Sequence, residues 1–562
     1  MGSAVSTPAF APPTADYYWL NADARAFLRE GYLLEGVSPE ERIEQIAAHA
    51  GELLEDPGFA ERFTTYMRRG YYSLASPVWA NFGLERGLPI SCFGSHMEDS
   101  MESILATHAE VGEMTKLGGG TSGYFGEIRP RGSPITDNGK SNGSYSFTQL
   151  FDTAINVVSQ GETRRGQFAG YIDVEHPDLD EWLNIKTEGD PVQDIFYGVI
   201  IGDAWFEAML DGDADKRETW ARLIETRINL GVPYLIFRGN MNAGRPQVYK
   251  DRGYEINASN LCTEIALPAS AAESFVCCLS SMNALHFDSW RETDAVETLT
   301  QFLDAVLDEF IAKADGVPFM DRAVRFARRH RAIGIGVLGW HSYLQSRMIP
   351  FDSMDAMRAN EALFRTIRER SYAASAALAE RFGEPPVLAG YGRRNATTMA
   401  VAPTKSSSYI LGQVSPSVEP LKSNYFVRDG AKRKSTQKNR FLAAMLRERG
   451  HDDRDVWDSI AQHDGSVQHL ECLTDEEKDV FRTFAEIPQM AIINQAAQRQ
   501  THIDQAQSLN ISIDPDEVTP KQINQLYIAA WRKGIKSLYY QHSVNAAQKF
   551  SRDILECRAC EA

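Results

Sequence analysis

Asn260-Leu261-Cys262-Thr263-Glu264 places a thiol between an amide and a carboxylate, and its reading decides the fold as well as the chemistry. In an extended or looped backbone successive side chains alternate, so Asn260, Cys262 and Glu264 project to one side. Taken alone, the five residues read better as a buried cysteine with two polar neighbours. Downstream, Cys277-Cys278-Leu279-Ser280-Ser281-Met282-Asn283 is a second apolar segment. The same alternation turns Cys277 and Cys278 to opposite sides, so at most one of them shares a site with Cys262. Upstream stands Ser91-Cys92-Phe93-Gly94. A single cysteine is more often an inert core residue than a nucleophile, and none of the three decides its role alone.

Around these segments, short apolar runs alternate with longer amphipathic stretches. Phe196 to Ile201, Val232 to Phe237, Ala332 to Leu338 and Thr397 to Ala402 read as strands. Strands alternating with helices predict an α/β fold with much parallel sheet. The N-terminal part is helical, with Pro39 to Leu54, capped by Ser38, and Gly58 to Arg69 carrying apolar residues at three and four spacing. Further helices are predicted over Val296 to Ala312 and Met354 to Arg381, the second ending before Gly383 and Pro385-Pro386. The basic stretch Arg428 to Arg440 reads as a solvated loop beside a strand at Asn424 to Val427. The tail after Gln548 has little apolar periodicity and reads as mobile.

With 562 residues, 43% hydrophobic and 24% charged, the chain has a globular composition. A formal net charge of −18 argues against binding a nucleic-acid polymer, which needs a positive field. No apolar run reaches membrane-span length, and Met1 to Thr14 lacks a signal pattern, so a cytoplasmic protein without membrane contact is expected. Seven cysteines do not form a secreted disulfide framework. Three motif matches fail on context. Gly118 to Gly123 fits GxGxxG but comes after a helical stretch, not a strand. Gly132 to Ser141 ends in Gly-Lys-Ser with its first glycine too far away. Cys557 and Cys560 lack the second ligand pair of a structural zinc site and fit a disulfide-forming pair better. No metal site is expected.

Asn-x-Cys-x-Glu, followed by Cys-x-Leu-x-x-x-Asn and preceded by Ser-Cys, resembles the active-site set of ribonucleotide reductases. The resemblance runs from about Tyr32 to Ala562 and includes Ser73 to Val78, the glycines at Gly118, Arg131 to Ile135 and Arg164-Arg165-Gly166 leading to His176-Pro177-Asp178. Arg331 to Val337, Pro403 to Ser408 and Leu538 to Gln541 extend it. It implies a class I large, catalytic subunit reducing ribonucleoside diphosphates. Its fold would be a ten-stranded α/β barrel of two half-barrels with Cys262 on a central finger loop. The implied division is a helical region over 1–88, the barrel over 89–475, a helical and strand region over 476–546, and a mobile redox tail over 547–562.

The resemblance also implies roles. Cys262 would be the thiyl radical, Glu264 the base on the ribose 3′-hydroxyl and Asn260 the residue holding the ribose hydroxyls. Cys92 and Cys277 would deliver two electrons and close into a disulfide, which requires Cα atoms about 4.4–6.8 Å apart. Cys278 and Cys472 match no functional position and are assigned to packing. Cys557 and Cys560 would shuttle electrons from thioredoxin or glutaredoxin. Ser76, Ser91, Pro403, Thr404, Lys405, Ser406 and Ser407 would hold substrate, the hydroxyl-rich turn gripping phosphate. Tyr539 and Tyr540 would relay a radical from a separate small subunit, so no cofactor is tightly bound in this chain. Asp99 would bind a nucleoside triphosphate effector, ATP or a deoxynucleotide with magnesium, coupled to substrate through the loops Ile128 to Ser141 and Thr187 to Asp194. Thr136, where some relatives carry arginine, and the short second loop depart from the family pattern. The segment before Tyr32 is too short for an ATP cone, so dATP shut-off through a cone is not expected. A homodimer is implied. The alternative is a class II, cobalamin-dependent reductase, which shares the cysteines without needing the tyrosine pair.

Overall fold

The computed structural model describes residues 10–161, 165–430, 433–514 and 518–543. Its strands, in chain order, are β1 (Tyr72–Leu74), β2 (Cys92–His96), β3 (Thr121–Tyr124), β4 (Phe168–Asp173), β5 (Phe196–Ile201), β6 (Tyr234–Phe237), β7 (Phe275–Asn283), β8 (Ile333–Leu338), β9 (Tyr425–Gly430), β10 (Arg433–Lys438), β11 (Ile511–Ile513), β12 (Ser537–Leu538) and β13 (Gln541–Ser543). β2 to β6 form five parallel strands, each paired with the next in sequence. Helices such as Gly143–Val157 and Ala214–Leu230 make the return crossings that parallel pairing requires. Strands of this kind are covered on both faces, and β5 is buried throughout.

A second set starts at β7, which pairs in parallel with β8. Met399 then bridges to Ile335, Val401 to Gln507, and β11 pairs in parallel with β13. The two sets meet antiparallel on both sides, β2 against β7 and β6 against β12. The strand positions therefore close a ring of ten, five from each half, as the family resemblance implies. Two ring positions come from 507–513 and 537–543. A boundary at 475 therefore cuts through the barrel instead of marking its end.

Helices occupy the predicted places. Pro39–Leu53 starts with a capping box in which Ser38 and Glu41 exchange side-chain and backbone bonds. Phe59–Arg68 packs beside it. Ala295–Ala314 and Met354–Phe382 cover the second half, the latter ending at Gly383 with φ +81°, a left-handed stop that glycine adopts without strain. The region before β2 is not purely helical, because β1 adds to β7. The basic stretch from Arg428 is not a loop, since the strand read at Asn424 to Val427 continues as β9 and pairs antiparallel with β10 as a hairpin. No helix among the described residues is long and apolar enough to cross a membrane.

A buried ionic cluster fixes the entry to β8. Asp304 is fully buried and accepts from Arg331 and Arg394, each at 2.8 Å, and from Asn395 at 3.0 Å. Burial alone would push its carboxyl up, but the two guanidiniums outweigh that and hold it below the usual range. Removing the anion leaves Arg331 and Arg394 with only the partly exposed Asp308 as a counter-charge. Asp304→Ala is expected to cost about 3–5 kcal/mol, measurable as a lowered thermal unfolding midpoint.

Candidate active site

Between β6 and β7 the chain runs through the barrel interior without regular structure around residues 255–269, and the cysteine pentapeptide lies on this finger. Buried carbonyls need donors, and the surrounding strands supply them. Tyr171 on β4 donates to the Asn260 carbonyl, Ser508 to that of Cys262, Ser537 on β12 to that of Thr263 at 2.9 Å, and the Ala506 amide to that of Glu264 at 2.9 Å. The finger is held from both half-barrels.

Thr263 has φ +66°, so the pentapeptide turns instead of running extended. The three side chains meet through this turn, not through simple alternation. The Asn260 carboxamide oxygen accepts from the Ile265 amide at 3.1 Å, which fixes its nitrogen 3.4 Å from the Cys92 sulfur. Glu264 lies with Oε1 4.0 Å from the same sulfur and Oε2 accepting from Ser508 at 3.1 Å. Burial pushes its carboxyl up to about 7, against the lowering effect of bonds from its own backbone amide, Asn260 and Ser508. A carboxylate poised near neutrality can take a proton and return it.

Cys92 and Cys277 stand directly opposite each other in the antiparallel β2·β7 register. Opposed residues of such a pair have Cα atoms about 4.5–5.5 Å apart, within the range a disulfide needs. Cys278 faces the other way, donating to the Leu303 carbonyl at 3.2 Å in the helical layer, as alternation requires. Gly334 on β8 makes room behind the pair, since a Cβ there would meet Leu279 at 2.5 Å and the Cys277 sulfur at 3.4 Å.

A pocket opens over the site. Cys92, Asn260, Cys262 and Glu264 form its floor, and Ser76, Ser91 and residues 403–407 line its rim. Ser91 has a buried hydroxyl without a partner among the described residues. Thr404 adopts φ +52° at the start of the short helix Lys405–Ile410, its hydroxyl accepting from the Ser417 amide at 2.7 Å. Ser407 donates to the Leu74 carbonyl at 3.5 Å, and Ser76 to the Tyr32 hydroxyl at 3.3 Å.

The Tyr539 hydroxyl lies 3.5 Å from the Cys262 sulfur, and its ring centroid is 4.3 Å from that of Tyr540. Tyr234 packs against both, at 4.8 and 5.2 Å. Asp99 is outside this cluster. Its carboxylate accepts from the Arg129 amide at 3.0 Å and guanidinium at 2.7 Å, which ties it to the loop over 128–141. Cys557 and Cys560 lie outside the described residues.

Sequence reading missed Tyr171, Tyr234, Gln505 and Ser508. Asp504 to Asn510 is a mostly polar run that looks like a surface loop, yet Gln505 and Ser508 are buried. Its flanking apolar segments were the only available signal.

Over residues 90–216, 212–388 and 386–541 the sequence matches the family described as ribonucleotide reductase, barrel domain. Among solved structures, the Actinobacillus ureae class Id ribonucleotide reductase alpha subunit superposes with a TM-score of 0.90 at 57% identity, covering 97% of this chain and 100% of that one. A Frog virus 3 relative, provisionally described as a ribonucleoside-diphosphate reductase large subunit, is 37% identical over 535 residues, 90% of this chain and 93% of its own. The vitamin B12-dependent ribonucleoside-diphosphate reductase of Mycobacterium tuberculosis strain H37Rv is 32% identical over 576 residues, 95% of this chain and 79% of its own.

Proposed function

The chain belongs to the ribonucleotide reductase family, as the large, catalytic subunit of a ribonucleoside-diphosphate reductase, and from that premise we propose how its residues divide the reaction. The Cys262 thiyl removes the 3′ hydrogen of the ribose and becomes a thiol. Glu264 takes the 3′-hydroxyl proton and gives it back to the 3′ oxygen once the sugar has been reduced, with Asn260 orienting the hydroxyls. The 2′-hydroxyl leaves as water on a proton from the Cys92–Cys277 dithiol, whose two electrons reduce the sugar as its disulfide closes. Cys262 then returns its hydrogen to the 3′ carbon, giving the deoxyribonucleotide and restoring the radical. What supports this division is the register of Cys92 against Cys277 beneath the finger that carries Cys262 and Glu264.

Substrate phosphate sits at Thr404, Ser406 and Ser407, with Pro403 and Lys405 shaping the turn and Ser76 and Ser91 completing the rim. A radical-generating small subunit feeds Tyr540, Tyr539 and Cys262 in that order, consistent with their contacts. Tyr539→Phe removes the transferable proton while keeping the ring. It is expected to lower turnover with the small subunit at least ~10³-fold, about 4 kcal/mol of barrier, with little change in thermal unfolding. Adenosylcobalamin-driven turnover without a small subunit would replace this reading with the class II one.

A nucleoside triphosphate effector with magnesium binds near Asp99 and the loop it holds through Arg129. The exposed Met101 and Leu105, one turn apart on helix Met101–Lys116, offer an apolar patch for a second copy of the chain. The tail cysteines Cys557 and Cys560 pass electrons from a thioredoxin-like dithiol protein in the cytoplasm. The function is tested by supplying the chain with its small subunit, a ribonucleoside diphosphate and a dithiol. Deoxynucleotide formation that requires all three is expected, and product formed without the small subunit would contradict the class I reading.

A further inference from the structure

The two sulfurs of the proposed redox pair are not equivalent. Cys92 is 8% exposed and lines the pocket, whereas Cys277 is 0% exposed and lies behind it. Anything that reduces a disulfide between them reaches one sulfur first. Behind Cys277 sits Gln505, whose carboxamide nitrogen is 3.5 Å from the Cys277 sulfur and 3.0 Å from both the Ile333 carbonyl and the Thr397 hydroxyl. Two N–H groups thus face three acceptors. The Thr397 hydroxyl also donates to the Ile333 carbonyl, at 3.1 Å, so that carbonyl is served twice. One Gln505 N–H can swing to the sulfur without leaving a buried carbonyl unpaired.

A neutral thiol is a weak acceptor and a thiolate a strong one, so this bond strengthens as charge appears on sulfur. The surroundings otherwise oppose that charge. Burial, then Cys278, and the Glu264 and Asp504 carboxylates push the Cys277 thiol well above its usual range, and Gln505 works the other way. Gln505 itself cannot drift. Its amide donates to the Met399 carbonyl at 3.2 Å, its side-chain oxygen accepts from Ala266 at 3.3 Å, and Lys536 donates to the carbonyls of Asp504 and Gln505 at 2.8 and 2.6 Å.

We infer that re-reduction of the active-site disulfide is directional: the incoming thiolate attacks Cys92, Cys277 leaves as a thiolate, and Gln505 is the catalytic residue that stabilises the leaving sulfur. This rests on the reading of Cys92 and Cys277 as the redox pair. In the first step the Cys92–Cys277 bond breaks, a bond forms between the incoming sulfur and Cys92, and the Cys277 thiolate takes up the proton the incoming thiol gave to solvent. The second thiol of the reductant then attacks the mixed disulfide, freeing Cys92. Overall one dithiol is oxidised to its disulfide and the active-site disulfide is reduced to two thiols. A better-stabilised leaving thiolate departs faster, which is the effect assigned to Gln505.

The full chain carrying Cys557→Ser and Cys560→Ser, so that the tail does not compete, is oxidised by one turnover with the small subunit. It is then exposed briefly to 2-mercaptoethanol, quenched in acid, alkylated and mapped by mass spectrometry. The expected product carries the mercaptoethanol on Cys92 and the alkyl group on Cys277. The reverse labelling overturns the direction. In parallel, Gln505→Met, which keeps the volume without the donor, is expected to slow reduction by dithiothreitol about 10-fold. An unchanged rate overturns the role of Gln505. If turnover leaves no Cys92–Cys277 disulfide, the redox-pair reading falls and takes the inference with it. If the disulfide forms but labelling appears on Cys277, only the inference falls.

Discussion

Cys262→Ser is expected to stop turnover, with kcat falling at least ~10⁴-fold, while the fold survives. Serine differs from cysteine by one atom, and Cys262 is only partly buried, so neither a large cavity nor an unpaired buried group results. The chemistry changes completely. An S–H bond is weak enough for a neighbouring tyrosyl radical to abstract its hydrogen reversibly, and Tyr539 lies 3.5 Å away to do so. An alcohol O–H bond is much stronger, so the hydrogen transfer from serine runs steeply uphill. Deoxynucleotide formation measured beside a thermal unfolding curve separates the two effects. Lost activity with an unchanged unfolding midpoint is the expected pair, and retained activity rules out Cys262 as the thiyl.

Glu264→Gln is expected to reduce kcat/KM about 10²–10⁴-fold, the usual worth of a positioned general base. It should also remove a pH dependence. In the parent chain burial raises this carboxyl from its ordinary 4.5 to about 7, so the basic form accumulates, and activity climbs, as pH rises through about 7. The glutamine variant should lack that climb. Stability moves in the opposite sense. The folded chain holds the proton more tightly than the unfolded chain, so the stability gained from a neutral carboxyl is fully present below 4.5 and is lost as pH rises through about 7. A permanently neutral glutamine should therefore unfold at a higher temperature than the parent at pH 8, with the gap closing at pH 4. A gap that grows toward low pH would contradict the buried, raised carboxyl.

How much of this was legible in the sequence depended on whether apolar pattern and structure coincide. β5 and β8 and the helices Ala295–Ala314 and Met354–Phe382 match their patterns closely, because buried parallel strands are continuously apolar and covering helices are amphipathic. Ring closure was not readable from periodicity. The ring positions at 399–401 and 505–509 pair through isolated bridges and single hydrogen bonds, and the second is polar. Ser508 and the Ala506 amide face inward because the finger loop's carbonyls need partners inside the barrel, whereas the Gln507 side chain bonds the covering helix Gln489–Gln500. The β9–β10 hairpin was hidden for a related reason, since Arg433 to Lys438 has no apolar alternation to mark a strand. For the site, the family resemblance supplied the cysteines, the carboxylate and the tyrosines. The left-handed turn at Thr263, on which their convergence depends, leaves no mark in composition. Gln505 and Ser508 act through geometry alone, and a lone glutamine or serine carries no sequence signal.

The most direct test of the central claim is peptide mapping after turnover without external reductant. Pre-reduced chain is mixed with small subunit and a ribonucleoside diphosphate, quenched in acid, alkylated and digested without reduction. The account predicts a disulfide-linked peptide joining Cys92 to Cys277, in amounts that rise with deoxynucleotide formed. Deoxynucleotide formed while both cysteines remain fully alkylated would contradict it.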